Sequence, residues 1–229
     1  MRIEIQGISK TFCTDGRTVQ AVKDAEMTFP AGKTVGILGA SGSGKSTLGQ
    51  IVAGLQRPDT GEILVDGKSV SYPYREPIRR KIQILFQHPE VSFNPRLTLL
   101  QSLREPYLLR KLPFDRRELC GRLERFGLYE EHLERYPHEL SGGELQRAAL
   151  MRILVLEPDC IVLDEPTSML DSISQAQIVR MLRELQEQKG VTYLFITHHA
   201  ALAELFCDEI YQIFDGKPVP MRESGGQTI

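Results

Sequence analysis

Long apolar runs are what this 229-residue chain most plainly lacks. No stretch reaches the roughly 20 apolar residues that a helix needs to cross a bilayer. The opening Met1-Arg2-Ile3-Glu4-Ile5 alternates like a strand, where a secretory signal would place an unbroken apolar core. The expectation is a cytoplasmic chain that meets a membrane only through a partner. Cysteine is scarce as well. Cys13, Cys120, Cys160 and Cys207 are scattered, without the pair spacing or neighbouring histidines of a zinc site and without the density of a disulfide scaffold, so ordinary thiols in a reducing compartment are expected. Excess charge is also missing. With 28 Lys and Arg against 30 Asp and Glu, no basic field marks nucleic acid as a partner. The locally basic stretch from Arg104 to Arg125 is interleaved with Glu105, Asp115, Glu118 and Glu124 and reads as a solvated helical face.

What is present alternates between strand and helix signals. The length suits one large domain, or one domain carrying an insert. Arg2 to Ile8 and Val19 to Phe29 read as strands around a polar turn at Thr14-Asp15-Gly16, and Val35 to Leu38 as a short buried strand feeding a helix from Lys45 to about Gly54. Glu62 to Val65 and Ile82 to Phe86 follow as strands. From Thr98 to about Tyr136 the periodicity becomes helical, with interruptions expected at Pro106, Pro113 and Gly127. A helix from Gly143 to Leu156, a strand from Cys160 to Leu163, a helix from Ser172 to Gln188, a strand from Thr192 to Ile196, a short helix from His199 to Phe206 and a last strand from Glu209 to Phe214 complete the pattern. Such alternation predicts an α/β fold with a mostly parallel sheet covered by helices on both faces.

Three motifs carry chemistry. Gly39-Ala40-Ser41-Gly42-Ser43-Gly44-Lys45-Ser46 matches a phosphate-binding loop at every fixed position. Its glycines let backbone N–H groups wrap phosphate oxygens at a helix N-terminus, Lys45 reaches the terminal phosphates, and the Ser46 hydroxyl suits a magnesium ion. Cys160 to Leu163 leads into Asp164-Glu165, two carboxylates where a parallel sheet displays its ligand-binding edge. Adjacent strand residues point opposite ways, so the two need not share a task. Leu140-Ser141-Gly142-Gly143-Glu144 opens a helix and gathers a hydroxyl, free N–H groups and a helix dipole at a second anion-binding point.

Taken in order, the phosphate loop, the Ser-Gly-Gly turn and the acidic strand end resemble the ATP-binding-cassette (ABC) family over nearly the whole chain. The resemblance implies a P-loop NTPase fold of ABC type, a mostly parallel sheet with an N-terminal antiparallel β subdomain and an inserted α-helical subdomain. The expected division of residues 1–229 is a RecA-like core with its β subdomain at about 1–87 and 157–220, a helical subdomain at about 88–156, and a short polar tail at 221–229. The resemblance further implies ATP hydrolysis with ATP and Mg²⁺ bound by Phe12, Gly39, Ser41, Gly42, Gly44, Lys45, Ser46, Thr47 and Gln87. Phe12 would stack on adenine, while Ser46, Gln87 and Asp164 would serve the metal. Glu165 would act as general base, and His198 would contact the γ-phosphate and support it. Ser141, Gly142, Gly143 and Glu144 would complete the site of a second ATPase subunit, with Asp171 at the interface. The chain departs from the family at Glu144, usually Gln, at Met169, usually smaller, and at His199, commonly Asp.

Phe86-Gln87-His88-Pro89 followed by Ser92-Phe93-Asn94-Pro95-Arg96-Leu97-Thr98 resembles the oligopeptide, dipeptide and nickel importer branch. That implies a homo- or heterodimer of ATPases at the cytoplasmic face of the membrane, two transmembrane permeases, and an external solute-binding protein acting indirectly. The sequence ends soon after the last strand, without the C-terminal extension of many peptide importers. The expectation therefore spans nickel or a metal chelate as well as peptide. The alternative is an ABC ATPase of a soluble complex, such as one degrading phosphonates.

Overall fold

Four short apolar runs set the frame of the computed structural model, which describes residues 1–14 and 16–221. Val35 to Leu38, Ile82 to Leu85, Ile161 to Leu163 and Tyr193 to Ile196 fall in strands β3 (Thr34–Leu38), β6 (Ile82–Leu85), β7 (Cys160–Asp164) and β8 (Thr192–Thr197). Every residue of β3, β7 and β8 is buried, which explains why these strands read as continuous apolar runs and not as alternating ones. They pair in parallel, with β9 (Glu209–Phe214) beside β3 and β10 (Lys217–Pro220) closing the edge antiparallel to β9. The strand order is β10-β9-β3-β8-β7-β6.

Both faces of this sheet are covered, and alternate residues of single strands feed different cores. Ile161, Leu163, Tyr193 and Phe195 pack with Leu103, Leu119, Leu145 and Leu150 from the segment after β6. Val162, Leu194 and Ile196 pack with Ile37, Leu48 and Ile51, and with Ile3, Ile5 and Ile63 of a second sheet. That sheet has four antiparallel strands in the order β2 (Arg17–Phe29), β1 (Ile3–Thr14), β4 (Thr60–Val65) and β5 (Lys68–Ser69). Each fully buried Leu or Ile contributes about 1.5–3 kcal/mol relative to exposure, so the two cores hold the sheet edge rigidly.

The helices are α1 (Lys45–Val52), α2 (Ile78–Lys81), α3 (Leu99–Leu109), α4 (Arg116–Arg125), α5 (Gly142–Val155), α6 (Ser172–Lys189) and α7 (Ala200–Phe206); α2 is not expected from the sequence, and the others follow the expected order with small changes of boundary. Pro106 does not interrupt its helix as expected. It lies inside α3, near the end, where Arg110 N–H still bonds the Pro106 carbonyl at 3.1 Å. Strand β1 runs on past Ile8 to Thr14, through register shifts that accommodate Gly7 at φ +60°. The turn residue Asp15 and the tail from 222 onward lie outside the described residues.

Candidate nucleotide site

Parallel register brings the predicted residues to one edge. Leu38 is opposite Thr197, Asp164 is opposite Ile196, and Leu85 is opposite Leu163. The residues that follow these strand ends, Gly39, His198, Glu165 and Phe86-Gln87, therefore emerge side by side where an open α/β sheet binds ligands. Of these, His198, Glu165 and Gln87 border a cavity of about 530 Å³, whose lining also includes Phe12, Ala21, Ser41, Gly42, Gly44, Lys45, Ser46 and Thr47 but neither Gly39 nor Asp164. Ala21 is an addition that sequence reasoning does not supply. It comes from β2, and nothing in its local sequence marks it.

The loop is shaped for anions. Gly44 precedes α1 at φ +101°, and a Cβ there would lie 1.9 Å from the Ala21 carbonyl oxygen, so only glycine fits. The first turn of α1 then presents N–H groups without intrahelical partners. Lys45, 6 % exposed, donates from Nζ to the carbonyls of Gly39 and Ala40, each at 2.7 Å. Burial pushes its ammonium below the ordinary lysine range, while Glu165 and Asp164 pull it back. A cation so placed favours any incoming anion.

Asp164 ends β7 while Glu165, at φ +50°, has already left the strand, and the two carboxylates take different partners. Asp164 accepts the Ser46 hydroxyl at 3.1 Å. Burial raises its carboxyl, the Ser46 bond lowers it, and neighbouring Glu165 raises it further. The Ser46 hydroxyl and the Asp164 carboxylate are hard oxygen donors in contact with each other, and Gln87 lines the same cavity as Ser46. Among the described residues no group of three or more His, Cys, Asp or Glu side chains could hold a metal unaided. Such a set fits magnesium shared with phosphate, because Mg²⁺ commonly takes one or two protein ligands and completes its shell from phosphates and water.

Glu165 has φ +50°, unusual for a non-glycine residue. Its backbone is fixed on both sides: its N–H donates to the Ile196 carbonyl at 2.9 Å, and its own carbonyl accepts from Ser168 N–H at 3.2 Å and Ser168 Oγ at 3.1 Å. Its side chain is paired with His198 Nδ1, 2.6 Å from Oε2. His199 faces elsewhere and caps α7, accepting from Leu202 N–H at 3.2 Å.

The second motif lies apart from this cavity. None of Ser141, Gly142, Gly143 and Glu144 lines it. Ser141 caps α5 in a reciprocal box, with Glu144 N–H donating to Ser141 Oγ at 3.3 Å and Ser141 N–H donating to Glu144 Oε2 at 2.8 Å. Met169 and Leu170 pack on the two glycines, since a Cβ on Gly142 would lie 3.0 Å from Met169 Sδ and one on Gly143 2.9 Å from Leu170 Cδ2. Asp171 caps α6 through the N–H groups of Ile173 and Ser174, each at 3.0 Å.

A glycine loop, a lysine and a carboxylate pair at the carboxyl edge of a parallel sheet define a P-loop nucleotide hydrolase. The ABC transporter family model matches residues 22–168. The chain is 39 % identical to the oligopeptide transport ATP-binding protein OppF of Bacillus subtilis, over 96 % of this chain and 74 % of that one. It is 36 % identical to the protein of the same name from Streptococcus pyogenes, over 97 % and 75 %. Among solved structures, the ATP-binding cassette MJ0796, in a dimeric post-hydrolysis state bound to ADP and Pi, superimposes with a TM-score of 0.85 at 30 % identity, covering 98 % of this chain and all of that one. CbiO1 of Clostridium perfringens, part of an ABC transporter complex, gives 0.75 at 29 % identity, covering 95 % and 86 %. The chain belongs to the ABC transporter family and is an ATP hydrolase of that family.

Proposed function

We propose that the chain is the ATP-hydrolysing subunit of an importer that takes up peptides through two membrane permeases. The observation that carries its mechanism is the separation of two anion-binding points in one chain. The phosphate loop lines the cavity, while Ser141 to Gly143 do not. Two copies, or this chain and a different cassette, placed face to face would let each Ser-Gly-Gly helix end close the other's ATP site, with Asp171 at the seam. The dimeric state of MJ0796 supports that reading.

Within each site the residues divide the work. Phe12, 39 % exposed on the cavity rim, offers a ring for adenine. Gly39, Ser41, Gly42, Gly44, Lys45 and Thr47 bind and orient the triphosphate, and Glu165 accepts the proton of the attacking water while His198 holds its carboxylate. Ser46, Gln87 and Asp164 would hold Mg²⁺, which when bound neutralises phosphate charge. Closure excludes water and places the helix dipole of α5 on the γ-phosphate. Residues 88–156 would move as one unit when the dimer closes.

A groove of about 700 Å³ suits the permease. It runs between β6 and α3 and is lined by Leu55, Ile84, Phe86, Leu108, Leu109 and Ile153 among others. Leu108 and Leu109 are 62 % and 76 % exposed, a large apolar surface to leave uncovered. Because Phe86 adjoins Gln87, a permease helix seated there would feel the nucleotide state. The importer reading puts the chain at the cytoplasmic face of the membrane as a peripheral subunit. Among the described residues no helix is long and apolar enough to cross a membrane, so the permeases would supply the spans. A solute-binding protein outside the membrane would deliver cargo without touching this chain. The two OppF relatives are named as ATP-binding proteins of oligopeptide transport, which favours peptide over nickel or a metal chelate and does not favour a soluble phosphonate-degrading complex.

The test is to recover the tagged chain from solubilised membranes of its own cells. Two hydrophobic permeases in stoichiometric amount are expected. Association with soluble enzymes alone would overturn the importer reading.

A further inference from the structure

Glu144, where the family usually has Gln, brings a negative charge to a helix end meant for phosphate. Left unpaired and aimed outward, a carboxylate there would repel the polyphosphate of a second subunit. Instead both its oxygens are occupied within the chain. Oε2 accepts from Ser141 N–H at 2.8 Å, and Oε1 lies 3.1 Å from Nε2 of His132.

His132 is built for that contact. It sits in a 3₁₀ turn (Glu130–Glu134), 4 % exposed, between Leu128 and Leu133, both fully buried. Its Nδ1 accepts from Tyr129 N–H at 2.8 Å. A ring nitrogen that accepts a backbone N–H carries no proton, so the proton is on Nε2 and points to Glu144. A buried histidine with one nitrogen fixed by backbone and the other by a carboxylate has little freedom to turn. Its sequence neighbourhood gives no hint of this, because the pair spans twelve residues between two local structures.

We propose that His132 is a positioning residue for the half-site on Ser141 to Gly143: its Nε2–H holds the Glu144 carboxylate away from the face that receives the second subunit's ATP. The inference rests on the composite-site reading given above. Ser141 Oγ, which accepts Glu144 N–H, keeps its own proton for a phosphate oxygen, and the N–H groups of Gly142 and Gly143 stay free at the helix end. His132 touches no substrate and acts through Glu144.

The experiment compares the chain with His132→Phe, which fills the ring volume but donates nothing, and with His132→Gln, which restores a donor. Glu144→Gln is made alone and with His132→Phe. Three quantities are read: amide exchange at Ser141 and Glu144 in the isolated chain, affinity of the isolated chain for a fluorescent ATP analogue, and the ATP concentration that half-saturates dimerisation in a Glu165→Gln background. His132→Phe is expected to speed exchange at both amides, leave analogue affinity unchanged and raise the half-saturating ATP about tenfold, the scale of one lost hydrogen bond to a charged group. Adding Glu144→Gln should bring that value back to within about threefold, because the repelling charge is gone while the helix cap stays, and His132→Gln should stay near wild type. A His132→Phe defect that Glu144→Gln does not relieve would mean simple loss of packing and would overturn the proposal, as would unchanged exchange. If His132→Phe does not fold, His132→Asn, polar but too short to reach Glu144, takes its place under the same criteria. Faster exchange with no ATP-driven association in any protein, the parent included, would be a failure of the composite-site reading and of this inference's role in it, whereas association in the parent that His132→Phe leaves intact is a failure of this inference alone.

Discussion

Glu165 Oε2 lies 2.6 Å and Oε1 2.8 Å from Nδ1 of His198. The histidine side chain is two-thirds exposed while the carboxylate is buried, so the imidazole enters the pair from the solvent side of the cavity. A base held this way is aimed before substrate arrives. Glu165→Gln keeps the shape but cannot take a proton, and phosphate release should fall by roughly two to four orders of magnitude, the range of a lost general base. ATP binding should persist. His198→Ala leaves the base in place but unheld and should cost less, on the order of tenfold to a hundredfold. Steady-state rates of the two variants, taken with equilibrium ATP binding, check the ranking.

Lys45 Nζ donates to the carbonyls of Gly39 and Ala40. Both acceptors are neutral, so a phosphate oxygen outcompetes them with a charge-assisted bond. Lys45→Ala should therefore weaken ATP binding about tenfold to a hundredfold, from one such bond at ~1.5–3 kcal/mol. Thermal stability without nucleotide should change little. Equilibrium titration with an ATP analogue and a melting curve separate the two effects.

The site is legible in the sequence wherever a strand end carries it. Apolar runs ahead of Gly39, Gln87, Glu165 and His198 announce parallel strands, and parallel strands in register deliver their ends to one edge. Local sequence does not announce contributions from packing between distant elements, such as Ala21 beneath the phosphate loop or His132 behind Glu144. Strand β10 is absent from the sequence reading although Asp215-Gly216, both at positive φ, is a hairpin signal of the kind that joins antiparallel strands. The short β5 and α2 have too few residues for any period to show. Pro106 reads as a break because proline removes one helix bond, here the one that would reach the Ser102 carbonyl, yet α3 continues through it with the ring buried, so tertiary packing outweighs the local preference.

Acid should reveal the Glu144 contacts. Burial pushes its carboxyl up, but Ser141, through its backbone and side chain, with His132 and Arg135 nearby, holds it below the ordinary 4.5. A folded value below the unfolded one means stability that is present above the unfolded value and lost as pH falls through the folded one. The difference in melting temperature between the chain and Glu144→Gln should be constant near neutral pH and move against the wild type below about pH 4.5. Melting curves of both proteins over that range decide it, and parallel curves would remove the carboxylate from the cap's stability.

Gly44 joins the two sheets at the point where nucleotide binds. A Cβ there would meet the Ala21 carbonyl oxygen of β2 at 1.9 Å, a backbone atom that cannot swing aside as a side chain would. Ala21 belongs to the antiparallel sheet and Gly44 to the loop leaving the parallel one, so any relief must part the sheets or tilt the start of α1. The positive φ alone costs an alanine about 1–2 kcal/mol, and the clash adds to it. Gly44→Ala should lower the melting temperature by roughly 2–4 °C for each kcal/mol lost and abolish tight ATP binding, because the N–H groups of α1 no longer converge. Gly42 is also at positive φ, but a Cβ on it would have no neighbouring atom within 4 Å, so Gly42→Ala should carry the φ cost without the clash. Melting temperatures of the two variants, compared side by side, would separate steric contact with β2 from backbone strain, and equal losses would show that Ala21 imposes nothing on the loop.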